Sequence, residues 1–362
     1  MPSPSYQCAR QRNYCVAISF MSLKNISCQN RIIELFQNAF ANNRLAHAYI
    51  FTGQEGVGKA SFSRELAKTV FCRSQGTDAC DVCNTCLRIA GNNYSDMLMV
   101  QPEKNSRVIK IEQLKNLQDF LRIKPLESRN KMVIIHSADK MNEEAANCLL
   151  KTLEEPPLYA IMILTATSLD AVKETIRSRC QIIRFSPLSM AVVKNILVNQ
   201  YQLDNKQAEQ VAFIANGSIK RAVWLSHAGA VEKKTWLVEQ LLKLECKDNL
   251  TFSKELVNTW HIQDTDVLEE KRTFVKELLF SFLMYYRDLL VCKTGRQESP
   301  IYHDGWKSAL TVKSQAVSED ALFHIIQIIK TTFGYLDHNA NIALLLENMI
   351  TKILHLQFRR NA

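Results

Sequence analysis

The sequence predicts an α/β domain followed by an all-helical C-terminal region. Three observations carry this. Short apolar runs alternate with segments of helical periodicity over the first half of the chain. One run passes through a glycine-rich loop straight into a helix, between Ala48 and Phe71. The strand pattern then ends at Pro187, and the rest reads as helix.

The elements follow in order. Residues 22–46 form one amphipathic helix, with Ile32, Ile33, Leu35, Phe36, Phe40 and Leu45 near helical spacing. Residues 48–52 (AYIFT) are a short buried strand, and 61–71 return to a helical pattern. Residues 97–100 are a strand, 110–123 a helix and 132–136 (MVIIH) a strand. The helix at 142–155 is capped by Asn142, has Glu143 and Glu144 in its first turn, and stops at Pro156-Pro157. Strands at 160–165 and 182–185 complete the set. Apolar strands alternating with helices imply a parallel sheet covered on both faces. Beyond it, 189–228 is a short helical group containing a helix from Asp204 to Gly217, and 230–358 is a longer one. Phe274, Leu278, Leu279, Phe282, Leu283 and Leu289, and then Leu322, Ile325, Ile326 and Ile329, give it apolar stripes.

Composition sets limits. The 362 residues are 47% hydrophobic and 22% charged, which excludes disorder as the main state. No run reaches the roughly 18 apolar residues of a membrane helix. The segment Cys15–Leu23 follows Arg10 and Arg12 but lacks a small-residue cleavage site, so residues 1–21 read as a disordered extension. The net charge of +9 suits either a phosphate-bearing partner or plain solubility. Of the eleven cysteines, those outside one cluster are scattered, as reduced thiols in a cytoplasmic protein are.

Two motifs carry chemistry. Gly53-Gln54-Glu55-Gly56-Val57-Gly58-Lys59-Ala60 matches a phosphate loop through its lysine. Backbone N–H groups of such a loop wrap phosphates, a Cβ would block that approach, and the lysine neutralises charge. The final position, where Ser or Thr holds Mg²⁺, is Ala60. The bland alternative is a glycine turn with a surface lysine. Cys72, Cys80, Cys83 and Cys86 have the spacing C-x7-C-x2-C-x2-C. Four thiolates close a tetrahedral Zn²⁺ shell and leave no position for water, so such a site is structural. Free thiols and an iron–sulfur cluster are the competing readings.

Together with Leu45–Lys59 (LAHAYIFTGQEGVGK), the cysteines, Asn147–Pro157 (NCLLKTLEEPP), Ile176–Cys180 (IRSRC) and Leu336–Glu347 (LDHNANIALLLE) resemble the bacterial clamp-loader ATPases of DNA polymerase III. The likeness runs from about residue 22 to 356. It implies an AAA+ architecture: a RecA-like domain at 22–186 with a zinc knuckle at 72–86, a helical lid at 187–228 and a helical collar at 229–362. It implies structural zinc on Cys72, Cys80, Cys83 and Cys86. It also implies partners, the gamma/tau and delta subunits, in a hetero-pentameric ring that loads the sliding clamp onto primed DNA.

The chain departs from the family's motors. There the strand before LLKTLEEPP ends in Asp-Glu, which hold Mg²⁺ and polarise water; here His136 and Ser137 stand in their place. Asp139 comes three residues after His136, past the strand end. His136 reads as a neutral strand-end residue rather than a metal ligand. Gly53, Gly56, Gly58 and Lys59 therefore remain as a degenerate nucleotide-binding loop without hydrolysis, and ATP binding without turnover stays open. In Ser178-Arg179-Cys180 the resemblance makes Arg179 an arginine finger that reaches a neighbour's ATP in trans. The alternative is a surface salt bridge, with Glu174 the nearby carboxylate, and Arg177 is the neighbour to be told apart. Gly217–Arg221 resembles the family's second sensor, with Lys220 and Arg221 as rival candidates. The basic residues Lys104, Arg107, Lys110, Lys115, Arg122, Lys124, Arg129 and Lys131 read as a solvated face, or else as a track for duplex phosphates. The expectation is a non-hydrolysing clamp-loader subunit. Its rivals are a gamma/tau-like motor and a zinc-knuckle nucleic-acid-binding protein outside replication.

Overall fold

The computed structural model describes residues 29–42, 44–74, 78–103, 108–227, 230–244, 249–260, 268–295, 301–336 and 341–358. The extension expected at 1–21 lies outside the described residues, as do Lys104 and Arg107. The chain divides into two compact units, with the break between Leu225 and Ser226.

The first unit is built on a parallel sheet. Its strands are β1 (Ala48–Thr52), β2 (Met97–Val100), β3 (Lys131–Ile135), β4 (Ala160–Ala166) and β5 (Gln181–Arg184), in the order β2-β3-β4-β1-β5. β1, β3 and β4 are buried along their whole length, because both faces are covered. Alternate residues serve alternate faces. Tyr49, Phe51, Met132, Ile134 and Ile163 join Phe36, Phe62 and Phe185 on one side. Ile50, Val133, Ile135 and Leu164 join Leu114, Leu117 and Leu149 on the other. The first face carries α1 (Asn30–Ala41) and α2 (Lys59–Phe71); the second carries α4 (Ile111–Arg122) and α5 (Glu143–Glu154). Phe51, Phe62 and Phe185 pack edge-on or tilted with centroids 5.2–5.7 Å apart, and Phe185 comes up against Gly53 of the glycine loop.

Local chemistry explains the boundaries. The Asn142 side chain accepts from the Ala145 N–H at 2.9 Å and starts α5 as expected. α1 is shorter than the periodicity predicts and stops at Ala41, where consecutive asparagines follow, so Leu45 is not on it. Two short helices escaped the periodic pattern: α3 (Asn84–Ala90), within the cysteine segment, and α6 (Glu174–Arg177). Neither is long enough to show a repeat. Three more helices close this unit: α7 (Met190–Tyr201), α8 (Asn205–Ala215) and α9 (Ile219–His227). Asp204 caps α8, and Gly217 ends the turn at φ +78°, where a Cβ would come within 2.7 Å of Leu188.

The second unit is helical throughout its regular structure among the described residues. It comprises α10 (Ala230–Lys243), α11 (Asn249–Thr259), α12 (Leu268–Thr294), α13 (Lys307–Gln315), α14 (Glu319–Leu336) and α15 (Ile342–Phe358). Leu278, Leu279, Phe282 and Leu289 of α12 meet Leu322, Ile325 and Ile329 of α14 and Ile350 and Ile353 of α15 in one core. The predicted stripes are thus core, with Phe274, Leu283 and Ile326 at its margin. Among the described residues no helix is long and apolar enough to cross a membrane.

Candidate functional site

The glycine loop joins the C-terminal end of β1 to α2. Gly53, Gly56 and Gly58 all have positive φ, and the Gly58 carbonyl accepts the Phe62 N–H at 2.8 Å. α2 therefore begins at Lys59, two residues earlier than the helical pattern suggested. The approach of phosphate is one reason for glycines here. The structure adds a reason internal to the protein. A Cβ on Gly53 would lie 2.5 Å from the Phe185 carbonyl, and one on Gly56 would lie 2.2 Å from Ser218 Oγ; at Gly58 there is open space. Lys59 is buried, with Nζ donating to the carbonyls of Gly53 and Gln54. Burial holds its pKa below the ordinary lysine value, against the pull of Glu55 and Asp139. The turn before α9 sits on the loop: the Ile219 N–H donates to the Gly56 carbonyl at 2.9 Å, and Lys220 pairs with Glu55 at 2.6 Å. Lys220 thereby lies at the loop.

At the end of β3, His136 is held by its N–H on the Val100 carbonyl at 2.8 Å. Burial and the Arg64 guanidinium push its pKa down to about 4, so the ring is neutral at pH 7. Ser137 is left-handed at φ +54°, with its N–H donating to Thr165 Oγ1 at 3.1 Å. Asp139 lies in a short 3-10 turn past the strand, where Thr167 donates to its Oδ2 through N–H and hydroxyl. No carboxylate stands on the strand itself, as the sequence indicated.

Arg179 follows α6. Its partner is not the Glu174 that sequence proximity suggested but Glu154, at 2.7 Å, from the end of α5. Nη1 also donates to the Thr175 carbonyl at 3.0 Å. The side chain is 36% exposed, so the guanidinium is accessible at the surface. Arg177 pairs instead with Asp170 at 3.5 Å, which separates the two arginines.

The four cysteines converge. The Sγ atoms of Cys72, Cys80, Cys83 and Cys86 all lie within 4.8 Å of one another. Tetrahedral Zn–S bonds of about 2.3 Å put sulfurs under ~4 Å apart, so this cage suits one ion after small adjustment. Cys72 is the C-cap of α2, and Cys83 is the N-cap of α3, its Sγ accepting the Cys86 N–H at 3.4 Å. Backbone N–H groups of Val82 and Cys83 hold the Cys80 thiol down at about 6, favouring the thiolate that binds metal. The set is able to hold a metal such as zinc.

Of the basic stretch, Lys110 pairs with Glu103 at 2.8 Å and Arg122 with Asp119 at 3.0 Å. Lys131 is buried over the Phe120 ring, 4.1 Å from its centroid. Lys110 and Arg122 are thus paired on the surface, and Lys131 is a core contact rather than part of an exposed basic face. Loop 124–129 beside them hangs on one buried carboxylate: Asp96 accepts the N–H groups of Leu126, Glu127 and Ser128 at 2.7–3.0 Å. Asp96, Glu154 and Thr165 carried no spacing signal in the sequence; their roles come from long-range contacts.

The structure thus combines a glycine loop after the first strand of a parallel sheet, a helical segment laid on that loop, an inserted thiol cage and no carboxylate on β3. A family model described as DNA polymerase III, delta subunit, matches residues 28–189. The chain is 31% identical over 337 residues to DNA polymerase III subunit delta' of Bacillus subtilis, covering 92% of this chain and 98% of that one. It is 30% identical over 285 residues to subunit tau of the same organism, covering 74% of this chain and 49% of tau. A crystal structure of a DNA polymerase III gamma subunit-related protein from Thermotoga maritima aligns at 17% identity and TM-score 0.41, over 90% of this chain and 99% of that one. The chain belongs to the delta-prime family of DNA polymerase III clamp-loader subunits. Its parallel α/β unit, four-cysteine insertion and helical C-terminal region are of the fold class expected.

Proposed function

We propose that this chain is a fixed, non-hydrolysing subunit of the clamp loader, which helps to load the sliding clamp onto primed DNA. In this reading Arg179 acts in trans on the ATP of a neighbouring gamma/tau subunit, and delta completes a hetero-pentameric ring. Residues 187–228 serve as the lid over Gly53, Gly56, Gly58 and Lys59, residues 229–362 serve as the collar, and Cys72, Cys80, Cys83 and Cys86 hold structural zinc.

The observation that carries this is an asymmetry. Around its own loop the chain offers a neutral His136, a Ser137 and no hydroxyl at Ala60. Metal-assisted phosphoryl transfer needs a carboxylate for Mg²⁺ and a group to orient water. Arg179, by contrast, is at the surface with an exchangeable carboxylate partner. A guanidinium supplied to a transferring phosphoryl group is worth roughly 10³-fold or more at the site it serves.

The test has two arms. The purified chain with Mg²⁺ and ATP shows no turnover. Arg179→Ala leaves the chain folded and the complex assembled, but lowers ATP turnover of the reconstituted complex. Unchanged turnover removes Arg179 from the role. A second reading, a gamma/tau-like motor, draws on Asp139, whose charge reaches Lys59 and whose Oδ1 has no hydrogen-bond partner. Turnover by the isolated chain, abolished by both Lys59→Ala and Asp139→Asn, would establish it.

A further inference from the structure

α2 ends one residue before Cys72, and its last turn carries a lysine almost wholly withdrawn from water. The Lys68 side chain is 2% exposed. Its Nζ lies 2.6 Å from Glu65 Oε2 and donates to Asp81 Oδ1 at 2.6 Å. Its backbone carbonyl accepts the Cys72 N–H at 2.8 Å. Asp81 stands between Cys80 and Cys83 in a left-handed conformation, φ +58°, that few non-glycine residues adopt. In sequence, seven residues separate Cys72 from Cys80. Lys68 thus holds both sides of that gap, one through its backbone and the other through its side chain.

We propose that Lys68, with Asp81 as its partner, is a positioning residue for the metal: it clamps the Cys80–Cys83 turn against the end of α2, so that Cys72 and the other three thiols face one ion. The inference rests on the reading of the cysteines as a zinc site. The physical argument is one of burial. An exposed Lys–Asp pair fixes little, because water competes for both ends. At 2% exposure the ammonium has exchanged water for two carboxylates, and moving Asp81 away would leave the buried charge with Glu65 alone and no water to replace the lost partner. The strained turn is held where the thiols need it. Groups that orient metal ligands in this way typically change metal affinity by roughly 10–100-fold when removed.

The experiment uses the full chain as purified. Elemental analysis gives its zinc content, and a chromophoric chelator reads the rate of zinc release. Asp81→Asn keeps the side-chain shape and weakens the clamp; Lys68→Met removes it. Both release zinc faster, by roughly 10–100-fold. An amine-reactive label provides a readout that no substitution disturbs. Lys68 is protected in the zinc-loaded chain and becomes reactive when zinc is stripped, while the exposed Lys115 reacts equally in both states. Release at the wild-type rate from Asp81→Asn, or Lys68 still protected after stripping, overturns the inference even if Lys68→Met fails to fold. Wild-type chain without zinc is a different failure: it removes the metal reading itself.

Discussion

The two ends of α2 hold sites in opposite condition. At its N-terminus the glycine loop keeps the form of a phosphate cradle, but the surrounding groups are engaged with one another: Lys59 with the loop's own carbonyls, Lys220 with Glu55, and the Ile219 N–H with Gly56. At its C-terminus four sulfurs sit within 4.8 Å and complete a donor set. One end has shape without the catalytic groups; the other has its full chemistry. The difference shows why a glycine loop alone is weak evidence of hydrolysis. Gly53 and Gly56 are demanded by Phe185 and Ser218, so the fold needs them whether or not phosphate ever binds.

The most severe way to sharpen that contrast is Cys83→Ser. It breaks the donor set, so bound zinc disappears and stability falls by about 3 kcal/mol, roughly 6–12 °C in Tm for a unit of this size. Equal zinc content in the variant would end the metal reading. Next comes the loop. Gly56→Ala meets both a left-handed φ and Ser218 Oγ at 2.2 Å, whereas Gly58→Ala meets only the backbone penalty. Urea denaturation should give about 2–3 kcal/mol for the first and about 1 kcal/mol for the second. Equal losses would mean that Ser218 does not dictate Gly56.

A third contrast, which shows only when the pH is lowered, concerns His136. Its folded pKa is depressed from 6.5 to about 4 by burial and by Arg64. The unfolded chain therefore binds the proton first, and this contribution is complete above pH 6.5 and is lost as pH falls towards about 4. His136→Asn should flatten the stability profile across that window. An unaltered profile would place the titration elsewhere.

Much of this could be read from the residues. The buried strands announced themselves because a sheet covered on both faces needs continuous apolar runs, as in MVII at 132–135. The thiol cage was legible because metal ligands must recur at short spacing. The missing carboxylates were legible once the resemblance carried by NCLLKTLEEPP set His136 and Ser137 at the end of the preceding strand. What stayed hidden depends on contacts distant in sequence. Nothing near Arg179 marks Glu154, 25 residues away, as its partner. The bond from Lys68 to Asp81 crosses a gap that no periodicity describes. α3 and α6 were missed because helices of seven and four residues show no repeat.

The loop hung on Asp96 has an evolutionary consequence. Its form is written largely in backbone N–H groups, which every residue except proline supplies equally, and in a carboxylate that lies elsewhere in the chain, with Glu127 on Arg88 and the Ser128 hydroxyl on Asp96 as its side-chain ties. Most of the side chains it displays, Lys124, Leu126 and Arg129 among them, can therefore drift while the scaffold stays fixed. Related chains should conserve the aspartate and the curve of the loop long after its letters have ceased to match.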